Sequence, residues 1–400
     1  MTELSRLQEL DRLAREDARH YPRKRRLFDT LLAETGRHAT GVVGPRGVGK
    51  TVLLRQLADC TPDSFYLSAD TLDSGDLFEV VKRLTTTLGI RAVFVDEVHY
   101  QSDYPRILKQ TLDSLRVKVV FTSSVSLSLF EAAADLSRRV SVVTLYPFTF
   151  REYILFRTGQ DLPALTLADI EARRWTPEHL RMGYLFDEYV RGGLMPFSLE
   201  EPDPLALLRT VLEKITGQDV PVVGRLGADE VPAVRRCLEY IGRSSVDGVN
   251  YTSISRNVGI TKYKAETYTR LLERAFVLNP LLPTGANVLR EPKVLMCVPF
   301  RLLYNTGDAG VGGLREDFFV EAMKMHGARV DYLKSSRGAK TPDYVVRTAT
   351  DEIVVEVGGK GKGREQFKGY DGRKSLILAP SIESEGMRRP LFMVGYLAPQ

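Results

Sequence analysis

Short apolar runs alternate with amphipathic stretches along the first third of the chain, and this alternation sets the expected element order. Residues 4–19 carry leucines at 4, 7, 10 and 13, a helical stripe on a polar background, ended by Tyr21-Pro22. From residue 38 onward, the runs at 40–43, 64–68, 92–95, 117–121 and 140–145 read as strands. Helical patterns at 52–58, 77–88, 104–115 and 127–136 lie between them. Alternation of this kind predicts a parallel sheet covered by helices. After Pro147-Phe148 the pattern changes, and residues 149–282 read as mostly helical with a break at Gly192-Gly193-Leu194-Met195-Pro196. Within that stretch, helices at 234–244, 253–257 and 262–275 surround the turn Gly259-Ile260-Thr261 and lead into a strand at 276–278. The last hundred residues predict a further α/β unit, with a helix at 314–326 and strands at 329–333, 343–347, 353–357 and 375–378. A helix at 364–370 belongs to the same unit, and 391–397 reads as another strand.

A chain of 400 residues exceeds one hydrophobic core. The pattern divides it into an N-terminal helical and basic segment (1–37), an α/β core (38–155), a helical lid (156–230), a helix-turn-helix with a wing (231–300) and a C-terminal α/β domain (301–400). A hydrophobic fraction of 43% and a charged fraction of 27% are those of a soluble globular protein. The formal charge of +5 supports a nucleic-acid partner only where the excess is concentrated. Cys60, Cys237 and Cys297 lie far apart, which speaks against a zinc site or a disulfide framework. No apolar run approaches membrane-spanning length, and the N-terminus is amphipathic rather than an export signal, so a cytoplasmic location is expected. The run Arg23-Arg26 reads either as a solvated face or as a phosphate-contacting arm.

The most legible chemistry follows the first strand. Gly44-Pro45-Arg46-Gly47-Val48-Gly49-Lys50-Thr51 is a complete G-x-x-x-x-G-K-T loop between a strand and a helix. Its glycines let backbone N–H groups converge on phosphate oxygens, and the helix opening at Lys50 adds its positive dipole end. Lys50 has the reach to bridge the outer phosphates of ATP, and the Thr51 hydroxyl suits Mg²⁺. The run 92–95 ends in Asp96-Glu97, two carboxylates at a strand's C-terminal edge. Asp96 is expected to hold Mg²⁺ and Glu97 to polarise the attacking water. Thr122 and Ser123 end the strand at 117–121 on the same edge, where a hydroxyl would orient water or sense the γ-phosphate. Arg139, at the end of the helix pattern 127–136, reads either as a residue facing a neighbouring subunit's nucleotide or as a surface arginine favoured by the helix dipole. His99 and Tyr100, next to the acidic pair, read as packing residues by default, the alternative being a signal between base and partner.

Two later regions carry weaker chemistry. Arg256, Lys262, Lys264 and Arg270, with Tyr263 among them, make a candidate groove-reading helix, though such modules also serve as protein-contact elements. In the last domain, Asp343 and Glu356 stand on neighbouring strand ends with Lys360 beyond, an arrangement suited to Mg²⁺ and water activation, and the preceding helix carries Glu316. Lys362 and Arg364 belong to a basic Gly-rich segment that concentrates the modest net charge as DNA contact requires.

Taken in order, GPRGVGKT, VFVDE, FTSS, SRRV followed by LYPFTFREY, and GGLMP resemble the bacterial and archaeal AAA+-like ATPases related to the signal-transduction NTPases. The resemblance implies a P-loop ATPase followed by a winged helix and a restriction-endonuclease-like domain. It implies that Arg139 matches the family's arginine ahead of the closing strand, serving a homo-oligomer, and that Gly193–Pro196 lies near the nucleotide base. The C-terminal domain resembles the PD-(D/E)xK nucleases, with Asp343, Glu356 and the pair Gln366 and Tyr370 in matching places. It departs where the lysine two residues after Glu356 is Gly358; Lys360 lies two further along the same face. The resulting expectation is a Mg²⁺-dependent ATPase coupling its nucleotide state to DNA bound by its C-terminal half. Its rivals are a low-turnover ATP switch with a degenerate nuclease-like domain and an ATP-gated nuclease.

Overall fold

The computed structural model describes residues 4–34, 38–73, 76–101, 103–123, 139–285, 291–305, 308–334, 341–349, 351–358, 364–367, 369–370 and 373–399. They fall into two compact units, Met1–Pro147 and Phe148–Gln400.

In the first unit, helices α1 (Leu4–Ala18) and α2 (Arg26–Ala33) precede a five-stranded parallel sheet of β1 (Ala39–Val43), β2 (Ser64–Ser68), β3 (Ala92–Asp96), β4 (Lys118–Ser123) and β5 (Val140–Thr144). Helices α3 (Lys50–Cys60), α4 (Leu77–Leu88) and α5 (Tyr104–Ser114) connect the strands, whose order is β2-β3-β4-β1-β5. Every residue of β1 and β3 is buried, as parallel strands covered on both faces must be. Leu53, Leu54 and Leu57 of α3 pack with Val42, Phe94 and Val120, and Phe28 and Leu31 of α2 join the same core. Helix α2 has no counterpart in the sequence reading, because the basic run at its start masks a short amphipathic pattern. Helix α1 buries Leu7, Ala14 and Ala18. Its Asp11 accepts a hydrogen bond of 2.7 Å from the backbone N–H of Tyr66, giving edge strand β2 a partner it would otherwise lack. The expected helix at 127–136 lies outside the described residues.

Order decides the site. Strand β4 lies between β1 and β3, with Val43 opposite Ser123 and Val95 opposite Phe121. The C-terminal ends of three strands therefore stand side by side on one edge, where open α/β sheets bind ligands.

The second unit begins with helices and π-helical turns, one of them Tyr189–Gly193. There follow α6 (Val231–Arg243), α7 (Tyr251–Val258), α8 (Lys262–Arg274) and an antiparallel pair of β6 (Leu278–Leu281) and β7 (Lys293–Met296). Gly259 caps α7 at φ 74°, and the Thr261 hydroxyl caps α8 through the N–H of Lys264. The strand expected at 276–278 starts later, since Phe276 takes φ 58° and turns the chain first. Helix α9 (Asp308–Met325) precedes a mixed sheet of β8 (Arg329–Tyr332), β9 (Tyr344–Arg347), β10 (Glu352–Val357), β11 (Lys374–Ala379) and β12 (Arg388–Pro390). Its order is β12-β11-β10-β9-β8, antiparallel from β8 to β10 and parallel from β10 to β12.

Two expectations fail here. Leu391–Tyr396 is a 3-10 helix rather than a strand. All six side positions are buried, and Gly395 lies so close to Phe150 that a Cβ would stand 2.5 Å from that residue's own Cβ. Burial on all sides removes the alternation that distinguishes a strand. The helix expected at 364–370 is a single 3-10 turn, Arg364–Phe367.

Candidate nucleotide site

The phosphate loop leaves β1 at Gly44, whose φ is 158° and whose missing Cβ would sit 2.2 Å from the Leu145 carbonyl oxygen. Only glycine fits that approach. Gly49 at φ 90° turns the chain into α3. Lys50 is buried, and its ammonium donates to the carbonyls of Gly44 at 2.8 Å and Pro45 at 2.9 Å, so it lies within the curl of the loop.

Asp96 is 3% exposed. Its Oδ2 accepts from the Tyr66 hydroxyl at 2.9 Å, and its Oδ1 accepts from the Thr122 hydroxyl. Burial, and then the negative charge of Asp96, push the Tyr66 phenol well above its ordinary value, so it stays a donor. The Thr122 oxygen also accepts the backbone N–H of Glu97 at 2.9 Å. One hydroxyl from β4 thus holds both members of the acidic pair. Glu97 takes φ 51° and ψ 47°, a left-handed conformation costing a non-glycine residue roughly 1–2 kcal/mol. Its Oε2 lies 3.1 Å from Nδ1 of His99, which is also 3.3 Å from the Ser123 hydroxyl.

A second support comes from the basic run, where the solvated-face expectation does not hold for one member. Arg25 is buried, not a solvated member of a basic run: its guanidinium donates to the carbonyls of Val48 at 3.1 Å and Tyr146 at 2.8 Å. It braces the loop against the chain beyond β5. No spacing rule separates it from Arg23, Lys24 and Arg26. Arg139 precedes β5 and pairs with Asp113 of α5 at 2.8 Å. Its carbonyl accepts from Ala39 at the start of β1, which places it on the sheet edge opposite the loop.

Elsewhere the charges are largely paired. Lys264 meets Glu230 at 3.0 Å, Arg270 meets Glu266 at 2.6 Å, and Lys262 pairs with Glu291, while Tyr263 is 77% exposed. Tyr268 and Lys264 hold Glu230 down at about 2. In the last domain, Asp343 accepts the N–H of Val357 at 2.9 Å and Glu356 accepts from Gln366 at 3.1 Å. Glu316 meets Lys293 of β7 at 2.8 Å and accepts from the Tyr344 hydroxyl. Although burial opposes its charge, Glu316 and Asp247 push the Lys293 ammonium up to about 12. Among the described residues, no three His, Cys, Asp or Glu side chains group as metal ligands. Lys360 and Lys362 lie outside the described residues, and Tyr370 follows the 3-10 turn that carries Gln366. No helix among the described residues is long and apolar enough to cross a membrane.

The loop, the acid pair and the interposed β4 define a P-loop nucleotide-binding domain of the α/β class. Residues 36–154 match the family model described as AAA domain, and their five-stranded parallel sheet with covering helices is the α/β architecture of P-loop NTPases. Residues 183–297 match a second model, described as a domain of unknown function, DUF8612. An uncharacterized protein of Methanocaldococcus jannaschii, MJ1637, is 26% identical over 387 residues, covering 86% of this chain and 81% of its own. Among solved structures, the Aeropyrum pernix ORC1 protein in complex with DNA is 16% identical over 74% of this chain and 92% of its own, with a TM-score of 0.28. The Thermotoga maritima RuvB Holliday junction branch migration motor is 15% identical over 71% and 90%, with a TM-score of 0.26.

Proposed function

We propose that the chain is a Mg²⁺-dependent ATPase whose nucleotide state governs nucleic-acid binding by its C-terminal half. The observation that carries the catalytic part is the Thr122 hydroxyl, which ties Asp96 to the backbone of Glu97 beside the strand that leads into the phosphate loop. The donor set fits the metal: Thr51 opens the helix after the loop, and Asp96 is a buried carboxylate oriented by two hydroxyls. When bound, Mg²⁺ would offset charge on the transferring phosphoryl group. Gly44 through Gly49 would cradle the phosphates, Lys50 would pair with them, and Glu97 would draw a proton from the attacking water. Glu97→Gln is expected to bind ATP normally and lose at least about a hundredfold in turnover. A variant hydrolysing at the wild-type rate overturns the assignment.

Duplex and single-stranded DNA are expected to stimulate hydrolysis at low salt, and stimulation should fall as salt rises. A rate indifferent to DNA favours the switch reading with a protein partner. The ion pairs of Lys262, Lys264 and Arg270 speak for that reading, since each lowers the positive charge of α8. In the C-terminal domain, Gly358 and the ion-paired Glu316 support a binding role over cleavage. No nicking is expected over long incubation with Mg²⁺ or Mn²⁺; nicking abolished by Asp343→Ala would establish the nuclease instead.

A further inference from the structure

We propose that His99 is a positioning residue for Glu97, holding one oxygen of its carboxylate so that the other is aimed at the attacking water. The inference rests on the reading of Glu97 as the water-polarising group. Glu97 and His99 are separated by one residue, and the left-handed backbone of Glu97 followed by the 3-10 turn Val98–Tyr100 brings their side chains back together. The contact is 3.1 Å from Glu97 Oε2 to His99 Nδ1, between side chains 23% and 16% exposed.

Chemistry assigns the tautomer. An ionised carboxylate only accepts hydrogen bonds, so the proton of the contact lies on Nδ1. The Ser123 oxygen at 3.3 Å shares the same N–H more weakly. Ser123 stands opposite Val43, the last residue of β1 before the loop. The end of β4 thus supports the acids twice: Thr122 touches Asp96 and the backbone of Glu97, and Ser123 stands beside the imidazole nitrogen that meets the Glu97 carboxylate. The ring also packs on Tyr100 with centroids 4.8 Å apart, which limits its rotation. A glutamate side chain has three rotatable bonds, and an anchor at one oxygen removes most of that freedom before the reaction begins.

His99→Ala is expected to lower kcat roughly ten- to a hundredfold, the range for partners that orient a reacting group, with ATP affinity unchanged. His99→Asn should recover much of the loss, because its amide nitrogen stands where Nδ1 does. In the Glu97→Gln background, His99→Ala should cost nothing further. Unchanged kcat in His99→Ala, or an additive loss in the double variant, overturns the proposal. Histidine ¹⁵N spectra give a test independent of turnover. Wild type should hold the Nδ1–H tautomer and Glu97→Ala should lose it; an Nε2–H tautomer in wild type overturns the pairing. A wild type that binds ATP without hydrolysing it would refute the ATPase reading, while the spectra would still decide the pairing.

Discussion

At the scale of single residues, burial decides what an ionisable group contributes. Glu321 on α9 is buried, and its Oε2 accepts the N–H of Val298 at 2.6 Å. Burial raises its pKa to about 8. The unfolded chain releases this proton near the ordinary carboxylate value, whereas the folded chain keeps it up to about 8. Its contribution to stability is thus fully present at acid pH and is lost as pH rises through that window, at about 1.4 kcal/mol per unit. Glu321→Gln keeps the acceptor without the charge, so thermal melts should coincide with wild type near the ordinary carboxylate value and exceed it at alkaline pH. Arg25 makes the opposite case, a charge whose value lies in its partners. Arg25→Ala leaves the carbonyls of Val48 and Tyr146 without it, and hydrogen bonds of a charged donor contribute about 1.5–3 kcal/mol each. Lower stability together with weaker ATP binding is the expected outcome in calorimetry.

At the scale of elements, two junctions matter. The first is β4 between β1 and β3. Thr122→Val keeps shape and strand propensity but removes the hydroxyl shared by Asp96 and Glu97. Hydrolysis should fall with the fold retained, and the Mg²⁺ concentration for half-maximal rate should rise. The second joins α6, β7 and α9 through Arg301. Its guanidinium meets both oxygens of Asp317 at 2.5 and 2.9 Å and donates to the carbonyls of Ile241 and Ser244 at 3.3 Å. Asp317 also accepts the N–H of Met296 at 3.1 Å. Arg301→Met strands a buried carboxylate and is expected to cost about 3–5 kcal/mol in denaturant unfolding. Adding Asp317→Leu should recover part of that loss, because no lone charge remains. The phosphate loop was legible because its residues are contiguous. The Lys293–Glu316 pair was not, since 23 residues separate partners that meet only when β7 packs on α9.

At the scale of the whole molecule, Arg139 stands on the sheet edge away from its own loop, so any service to a phosphate would go to another copy of the chain. If it does, inactive Glu97→Gln and Arg139→Ala proteins should regain ATPase activity when mixed. No rescue would leave Arg139 as the partner of Asp113 and the protein as a switch acting alone. In the second unit one hydrophobic cluster crosses segments far apart in sequence: Phe150, Ile170 and Tyr189 pack in the same cluster as Leu295, Phe318, Val355 and Tyr396. The helical, helix-turn-helix and C-terminal segments were separable in sequence because each has its own periodicity. Their common core was not visible, since each segment buries only part of its apolar face within itself.

The sequence by itself determined the local chemistry: the loop from Gly44 to Thr51, the acids at the end of β3, the strand–helix alternation and the cap at Thr261. These depend on neighbours within a few residues, where backbone geometry and side-chain spacing suffice. Only the tertiary structure decided that Tyr66 and Thr122 grip Asp96, that Arg25 braces the loop, and that Glu316 is ion-paired with Lys293. Those contacts depend on strand order and on which elements pack together, and burial then sets whether a charge is a site, a brace or a pair.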